Sequence, residues 1–343
     1  MESPVRRNSK AIILRATTLA VSLVFVLGVA ELGFRFLSAS PWYERLPEEQ
    51  QRTPRYEYSV GASKFTLRFP PLKLPKLKGS QRMLFLGDSF TYGSGVKESE
   101  TFVSLVTSRL NDNSKVSRGS VYETFNGGVP ASMTRDWVEL FDEMAEEFQP
   151  DSVIVVFFLR DGVQGVTSIG QINAIRNRMV RLSEHSILYR FSRLWRYFID
   201  REVQKELSAE YLGRLESGYL GEEGETIEWK SAQENLKYLQ LESNRLGANF
   251  YLVIFPVLFD LGAEYPLDGV VDEILRFANQ EQMTALSLLP AFRGLSAPDL
   301  WVSPLDQHPN GEGHAIAAEA IYDFLINVPA GEAGFSEGAT LRK

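Results

Sequence analysis

The sequence predicts an α/β fold in which a parallel central sheet carries helices on both faces. From Arg82 onward, short apolar runs alternate with longer segments whose apolar residues recur at helical spacing. The runs at residues 83–86 and 152–159 are apolar almost throughout, as in strands covered on both faces of a parallel sheet. The chain has 343 residues, 44% of them apolar and 23% charged, which suffices for one large core. We therefore expect an α/β domain over residues 81–327.

The elements predicted within this domain follow one another in regular alternation. Strands are predicted at residues 83–86, 121–125, 152–159, 249–255 and 284–288. Helices are predicted at residues 101–110, 134–148, 228–246, 270–282 and 311–326. Residues 162–227 are too many for a simple connection, so we expect an insertion with helices of its own.

Apolar residues recur at helical spacing inside this insertion, beside three arginines. The apolar residues are Ile187, Leu188, Phe191, Leu194, Trp195 and Phe198, and the arginines are Arg190, Arg193 and Arg196. The pattern is typical of an amphipathic helix packed on the domain. It also fits a lid over a site, or a basic and aromatic face that touches a membrane.

The first 37 residues combine a basic start with a long apolar stretch. Basic residues occur at Arg6, Arg7, Lys10 and Arg15, before an uncharged run at residues 16–30. We predict a cytoplasmic segment at residues 1–15 and a transmembrane helix at residues 16–37, because basic residues stay on the cytoplasmic side. The rest of the chain would then be periplasmic, held by a single pass through the inner membrane.

A cleaved signal peptide is the alternative for this segment. Gly28-Val29-Ala30 has the small-x-small pattern of a cleavage site. However, the apolar character continues past Ala30, and Glu31 and Arg35 are one helical turn apart and can pair. A buried amphipathic helix is disfavoured because residues 16–30 contain no polar face. The pattern therefore favours an uncleaved anchor.

Residues 38–80 are predicted to be a tether, because six prolines interrupt any long element there. Apolar residues alternate between Tyr56 and Phe69, which leaves open an accessory strand packed on the domain. At the other end, residues 328–343 are small and polar and are predicted to be a disordered tail.

Charge and composition exclude several function classes. The formal net charge of −8 indicates no nucleic-acid partner. The chain has no cysteine, which excludes disulfides, thiolate metal sites and thiol catalysis. His314 lies six residues after His308 with no third ligand nearby, so we expect it to cap or be solvated on the following helix. His185 is expected to be an ordinary surface or packing residue, and neither a metal nor a cofactor is predicted.

A serine at the end of the first predicted sheet strand is the candidate nucleophile. The apolar run 83–86 stops at Gly87-Asp88-Ser89, where ligands bind in open α/β sheets. We expect Gly87 to permit the tight turn and Asp88 to hydrogen-bond to the backbone of the loop. A serine needs a base, and His308 suits this role because Asp306, two residues earlier, can orient its ring.

These two motifs resemble those of the SGNH (GDSL-like) hydrolases, of the membrane-anchored bacterial type. The resemblance rests on Gly87-Asp88-Ser89-Phe90 and on Asp306-Gln307-His308-Pro309-Asn310, and it covers roughly residues 82–325. It implies a flavodoxin-like three-layer sandwich and a catalytic triad of Ser89, His308 and Asp306. The single residue between Asp306 and His308 is a departure, since many relatives have two.

The resemblance also implies three donors to the oxyanion. They are the backbone N–H of Ser89, the backbone N–H of Ala131, where the family usually has glycine, and an asparagine side chain that is replaced here by Arg160. Losing one such donor costs about 3 kcal/mol of transition-state stabilisation. Arg160 can still donate and adds a positive charge, or it can form a salt bridge with Asp161 or another carboxylate.

Together these features predict a membrane-anchored serine hydrolase or esterase in the periplasm. It would remove an O-acyl group such as acetyl from a glycan or small molecule through an acyl-serine intermediate, without a cofactor. The first alternative is an O-acyltransferase with the same triad, in which a sugar hydroxyl replaces water. The second is a catalytically weak domain that binds polysaccharide or an envelope partner.

Overall fold

The computed structural model of the protein describes most of the chain. The described residues are 4–37, 56–60, 63–68, 75–113, 120–163, 177–182, 184–221, 226–303 and 306–328. Residues 38–55 of the predicted tether and 329–343 of the predicted tail lie outside them. The chain divides into two compact units, one of Met1–Arg45 with Ser168–Glu210, the other of Leu46–Thr167 with Tyr211–Lys343.

Nine strands and ten helices are used below to locate residues in the described part of the chain. The strands are β1 Tyr56–Val60, β2 Ser63–Leu67, β3 Ser80–Gly87, β4 Val121–Gly128, β5 Ser152–Phe158, β6 Asn249–Phe255, β7 Thr284–Ser287, β8 Trp301–Ser303 and β9 Asp306–Pro309. The helices are α1 Pro4–Leu37, α2 Ser89–Tyr92, α3 Phe102–Asp112, α4 Thr134–Phe148, α5 Ile187–Phe191, α6 Arg193–Leu220, α7 Ile227–Arg245, α8 Asp268–Gln280, α9 Leu289–Phe292 and α10 Gly311–Asn327.

The second unit is built on a five-stranded parallel sheet in the order β4-β3-β5-β6-β7. The predicted α/β class is therefore confirmed. After their first residues, β5 and β6 are buried throughout, which explains their unbroken apolar sequences. The strand order is that of doubly wound flavodoxin-like sheets, in which the chain reverses its direction of progress after the second strand. The reversal leaves a crevice between the carboxyl ends of β3 and β5.

The helices cover this sheet in two layers. α3 packs against α10, and α4 packs against α7. Two separate pairs are expected for this strand order, because crossovers between parallel strands are almost always right-handed and a reversal of order then sends the chain to the opposite face. Each of the five predicted helices is present, and α4 has the predicted ends, Thr134 and Phe148. These layers fix the loops that leave the strands at their carboxyl ends.

A hairpin precedes the sheet within the region predicted as a tether. β1 and β2 pair antiparallel, and Phe65 and Leu67 of β2 are buried in the core of the second unit. This corresponds to the packed accessory strand that the alternation of apolar residues left open. The next residue, Arg68, is also buried, and its Nη2 donates to the carbonyls of Gly93 and Val96 at 2.6 and 2.9 Å. The hairpin thereby holds the loop that follows Ser89.

The first unit consists of α1, α5 and most of α6. α1 contains a 20-residue stretch, Leu14–Gly33, that is long and apolar enough to cross a membrane, with a mean hydropathy of 1.9. None of that stretch is buried against the described residues, so α1 is not a core helix. Within the predicted insertion, α5 and α6 are the expected helices, but Ile187, Leu188 and Phe191 are exposed.

Candidate active site

Ser89 lies at the carboxyl end of β3, where the sheet order reverses. It is the first residue of α2, and Asp88 caps this short helix by accepting a hydrogen bond from the N–H of Phe90 at 2.8 Å. The predicted backbone contact of Asp88 is thus present. The N–H of Ser89 itself has no acceptor among the described residues, as expected for the first turn of a helix. Ser89 is therefore held at the crevice with a free backbone donor.

Gly87 is required for space rather than for an unusual backbone conformation. A Cβ at Gly87 would lie 2.2 Å from Oγ1 of Thr91 and 2.8 Å from the carbonyl oxygen of Val156. The tight turn that we expected from Gly87 is made further on, by Gly93 and Gly95, which adopt φ angles of 77° and 89°. A residue larger than glycine at position 87 would push the Ser89 loop away from the sheet.

The structure brings Ser89 and His308 together although 219 positions separate them. Oγ of Ser89 lies 2.8 Å from Nε2 of His308. Nδ1 of the same ring contacts Oδ1 of Asp306. For His308 to accept a proton at Nε2, its proton must reside on Nδ1 and be donated to Asp306, which is the arrangement that a carboxylate in this position favours.

The single residue between Asp306 and His308 suits the local backbone. Both residues lie on β9, and alternate residues of a strand point to the same side. An Asp-x-His spacing in an extended segment therefore suffices to place the carboxylate beside the ring. Asn310 fixes the end of this segment, because its Oδ1 accepts from the N–H groups of Glu312 and Gly313 at the start of α10.

Ala131 lies in a loop that is attached to the end of β3. The N–H of Val129 donates to the carbonyl of Gly87 at 2.9 Å, and Oγ of Ser132 contacts the same carbonyl at 3.3 Å. Ala131 itself is exposed and has a φ of 64°, in the left-handed region that favours glycine. Its N–H has no acceptor among the described residues. The backbone at Ala131 thus has a conformation that glycine adopts more readily than alanine, and its role as an oxyanion donor stays a prediction.

Arg160 is buried in an ion network directly behind the Ser89 loop. Its Nη2 lies 3.0 Å from Oδ2 of Asp88, 2.9 Å from Oδ1 of Asp161 and 3.2 Å from the carbonyl oxygen of Ser132. Its Nε is buried without a hydrogen-bond partner among the described residues. Arg160 thus forms the salt bridge with Asp161 that the sequence left open. Its role as an oxyanion donor remains a prediction.

The protonation of this network follows from burial and proximity. Burial opposes the charged form of Arg160, but Asp161 and Asp88 outweigh it and raise the pKa of the guanidinium above its usual value. Burial, followed by repulsion from Asp88, raises the pKa of Asp161 well above the usual range of an aspartate. Asp161 also accepts a hydrogen bond from the N–H of Phe158 at 2.9 Å. The arginine therefore stays charged and holds the side chains of Asp88 and Asp161 close together.

His314 was expected to cap or be solvated on the last helix, and this expectation is wrong. Its side chain is completely buried, and its Nδ1 accepts a hydrogen bond from the N–H of Phe102 at 3.2 Å. Burial, with a smaller contribution from Arg68, lowers the pKa of His314 to about 3. A signal was available in the sequence, because His314 is on the same helical face as Ala317, Ala318 and Ile321. His185 is exposed, as predicted.

Comparison with known proteins finds similarity among solved structures only. No protein-family model matches the chain, and no curated protein matches it. A two-domain esterase active on acetylated mannans has 17% identity and a TM-score of 0.45, over 78% of this chain and 54% of that one. TesA has 16% identity and a TM-score of 0.43, over 71% and 98%. A mutant of Axe2, an acetylxylan esterase from Geobacillus stearothermophilus, has 16% identity and a TM-score of 0.43, over 78% and 100%.

The chain thus spans about half the length of the two-domain esterase. Because these identities and TM-scores are low, the fold is assigned from the strand order itself. Within the described residues, no group of three or more histidine, aspartate or glutamate side chains is arranged to hold a metal ion.

Proposed function

We propose that the protein is a membrane-anchored serine hydrolase that removes an O-acyl group outside the cytoplasm. The observation that carries this proposal is the chain of contacts from Oγ of Ser89 to Nε2 of His308, at 2.8 Å, and from Nδ1 of His308 to Asp306. A serine hydroxyl becomes a useful nucleophile when a base is within hydrogen-bond reach and a third group orients that base. In this proposal Ser89 is the nucleophile, His308 is the base and Asp306 is the group that orients the base.

The reaction would proceed in two displacements on the acyl carbon. Oγ of Ser89 attacks the ester carbonyl while its proton passes to Nε2 of His308. The tetrahedral intermediate then breaks its bond to the alcohol oxygen, which takes the proton from His308, and leaves an acyl group on Ser89. A water molecule gives a proton to His308 and attacks the acyl carbon, and the carboxylic acid leaves as Ser89 recovers its proton. Asp306 holds Nδ1–H throughout and stabilises the imidazolium.

Backbone donors would stabilise the negative oxygen that forms in each displacement. The N–H groups of Ser89 and Ala131 have no acceptor among the described residues, which is the condition for binding an oxyanion. The guanidinium of Arg160 already contacts Asp88, Asp161 and Ser132. We infer that Arg160 acts on the reaction mainly by positioning the Ser89 loop, with any direct contact to the oxyanion secondary.

The kind of acyl group, and the molecule that carries it, are inferred only from the motif resemblance. It favours a small acyl group such as acetyl, carried on a hydroxyl of a glycan. An acceptor hydroxyl of a sugar in place of water would convert the same triad into an O-acyltransferase. The engagement of Arg160 in an ion network is the observation that favours the other candidate, a domain that binds a glycan or envelope partner and turns over slowly.

Hydrolysis of p-nitrophenyl acetate by the full chain in detergent micelles tests the enzyme proposal. Ser89→Ala should lower kcat/KM by about 1,000-fold or more, because the acyl-serine can no longer form. Ser108→Ala, an exposed serine on α3, is the matched control and should leave the rate unchanged. Equal rates for the wild type and Ser89→Ala would refute the proposal. Addition of an oligosaccharide acceptor, with mass spectrometry of the products, would then distinguish transfer from hydrolysis.

Retention of α1 is tested separately from activity. The membrane fraction of expressing cells should contain a chain whose intact mass includes residues 1–30 and which resists extraction at high salt. A mature protein that begins at Glu31 would show that α1 is a signal peptide. The hydrolase proposal would survive that result, but the membrane anchor would not.

A further inference from the structure

A carboxylate at the end of the apolar helix joins α1 to the corner between α5 and α6. Oε1 and Oε2 of Glu31 accept hydrogen bonds from the N–H groups of Arg193 and Leu194, at 2.8 and 3.0 Å, and from the hydroxyl of Ser192 at 2.8 Å. These N–H groups belong to the first turn of α6, which has no intrahelical acceptor for them. A carboxylate at this position also interacts favourably with the helix dipole.

The next turn of α1 strengthens the same connection. Nε of Arg35 pairs with Glu31 at 2.8 Å, and Nη2 of Arg35 donates to the carbonyl of Phe191 at 2.6 Å, at the end of α5. α1 therefore satisfies both the last carbonyl of α5 and the first N–H groups of α6. The depth of this corner in a membrane is then determined by the depth of α1.

The geometry of α1 places the corner at the membrane surface. Glu31 is 17 residues after Leu14, where the apolar stretch begins, which corresponds to about 25 Å along a helix. The hydrocarbon core of a bilayer is about 30 Å thick. With α1 spanning the bilayer as proposed above, Glu31 lies within about one helical turn of the outer edge of this core. Arg35, 21 residues after Leu14 and thus about 32 Å along the helix, reaches that edge. The corner that Glu31 and Arg35 hold therefore lies at the boundary between acyl chains and headgroups on the outer side.

The corner presents to its surroundings the side chains that such a layer favours. Ile187, Leu188 and Phe191 of α5 are 78%, 61% and 65% exposed, and Trp195 and Phe198 continue the apolar surface onto α6. A patch of large apolar side chains in contact with water is unfavourable for a monomer. Trp, Phe and Leu side chains form the apolar face of helices that lie in the membrane interface.

The charge of the same segment complements anionic headgroups. Residues 177–201 contain six arginines and two acidic residues, in a chain whose formal net charge is −8. The guanidinium of Arg190 is exposed and lies 5.6 Å from the centre of the Phe191 ring, so the charge and the apolar surface belong to one patch. Arginine can bind a lipid phosphate while its stem covers apolar surface.

We propose that α5 and the first turns of α6 form a surface that binds the membrane at its interface. The membrane that this surface contacts is the outer leaflet of the bilayer that α1 crosses. Ile187, Leu188 and Phe191 enter the boundary between headgroups and acyl chains, and Arg190 contacts lipid phosphates. Glu31 holds this surface at the correct depth. The inference rests on the anchor assigned to α1 under the proposed function.

The absence of cysteine allows a direct test with single labels on the full chain. Four single-cysteine variants each carry an environment-sensitive fluorophore. Two are in the patch, Leu188→Cys and Phe191→Cys, one is in α1, Val24→Cys, and one is on the exposed face of α7, Leu241→Cys. The proteins are reconstituted in nanodiscs of phosphatidylcholine, with and without phosphatidylglycerol. Quenching is measured with aqueous iodide and with spin-labelled lipids.

Labels at positions 188 and 191 should be quenched by the spin-labelled lipids and be at least about threefold less accessible to iodide than the label at position 241. Phosphatidylglycerol should increase this protection, and Glu31→Ala should reduce it while the label at position 24 stays in lipid. Iodide access at 188 and 191 equal to that at 241, with position 24 in lipid, would overturn this inference alone. Absence of lipid quenching at position 24 would instead contradict the anchor.

A third outcome identifies a different occupant. Labels at 188 and 191 that are shielded from iodide but not quenched by the lipids would show that a protein surface, such as a second copy of this chain, covers the patch. That result would also overturn the assignment to lipid. Two labelled positions are used so that a local effect of one substitution cannot decide the outcome.

Discussion

Nη2 of Arg160 donates to the carboxylate of Asp88, the residue directly before Ser89, at a distance of 3.0 Å. The same atom also contacts Asp161 and the carbonyl of Ser132. One buried guanidinium thus connects the loops that follow β3, β4 and β5. Where the SGNH hydrolases that the motifs resemble have a neutral amide, this chain has a cation in contact with two buried aspartates. Arg160 therefore stabilises the site loops and contacts the residue next to the candidate nucleophile Ser89.

Replacing Arg160 by glutamine should destabilise the fold. Arg160→Gln leaves Asp88 and Asp161 buried without their cation, and breaking one partner of a buried ion pair costs about 3–5 kcal/mol. The double variant Arg160→Gln with Asp161→Asn should recover part of this loss, because it also removes one of the two ionisable groups that Arg160 contacts. Denaturant unfolding of the full chain in detergent measures both variants.

Arg135 provides the control for this comparison, since it is an exposed arginine on α4 that pairs with Glu139. Arg135→Gln should change stability by less than about 0.5 kcal/mol. If Arg160→Gln were as mild as Arg135→Gln, the ion network would not stabilise the site loops.

Asp306→Asn should reduce turnover while the fold is preserved. An asparagine amide can donate to Nδ1 of His308, which leaves the ring proton on Nε2 and removes the base that faces Ser89. The expected loss in kcat is about 1,000- to 10,000-fold with little change in KM. Asp299→Asn, an exposed aspartate in the preceding loop, should retain full activity. A kcat within tenfold of the wild type for Asp306→Asn would remove Asp306 from the proposed triad.

Ala131→Gly should keep the proposed oxyanion donor and relieve backbone strain. Ala131 has a φ of 64°, a conformation that costs a residue with a Cβ about 1 kcal/mol relative to glycine. We expect unchanged kcat and stability that is equal or up to about 1 kcal/mol higher. Ala209→Gly, at an exposed position inside α6, should lose about 1 kcal/mol instead. Similar losses for both variants would show that the φ of Ala131 is not strained.

His314 should make stability depend on pH in the mildly acidic range. Its pKa is about 3 in the folded chain and about 6.5 when unfolded, so the unfolded chain binds one more proton between these values. Above pH 6.5 His314 is neutral in both states and does not alter the free energy of unfolding. Below pH 6.5 the unfolded chain binds the extra proton, which lowers the free energy of unfolding by about 2 kcal/mol at pH 5.

His314→Asn tests this dependence, because the amide oxygen can replace Nδ1 as acceptor for the N–H of Phe102 but does not titrate. The variant should lose less stability than the wild type between pH 7.5 and pH 5, by about 2 kcal/mol. Unfolding of both proteins in the same buffers measures the difference. Parallel curves would mean that another group, not His314, determines the pH dependence.

Local patterns in the sequence were enough for the architecture. Continuous apolar runs such as Val153 to Phe158 predict strands covered on both faces, and helical spacing predicts the segments between them. The sequence also predicted that Ser89 follows a buried strand and that Asp306 and His308 lie on the same side of the chain, because both depend on local strand geometry. An alternation of residues along a strand determines locally which side chains share a side.

Only the tertiary structure decided where the charged and buried polar side chains find their partners. Arg160 contacts Asp88 across 72 positions, Arg68 contacts the loop after Ser89 across 25, and His314 contacts Phe102 across 212. A hydrogen bond or ion pair is specified by the position of two groups in space, and the sequence records only their order along the chain. The apolar pattern of this protein therefore determined its layers, while the folding of distant loops onto one sheet edge determined what surrounds Ser89.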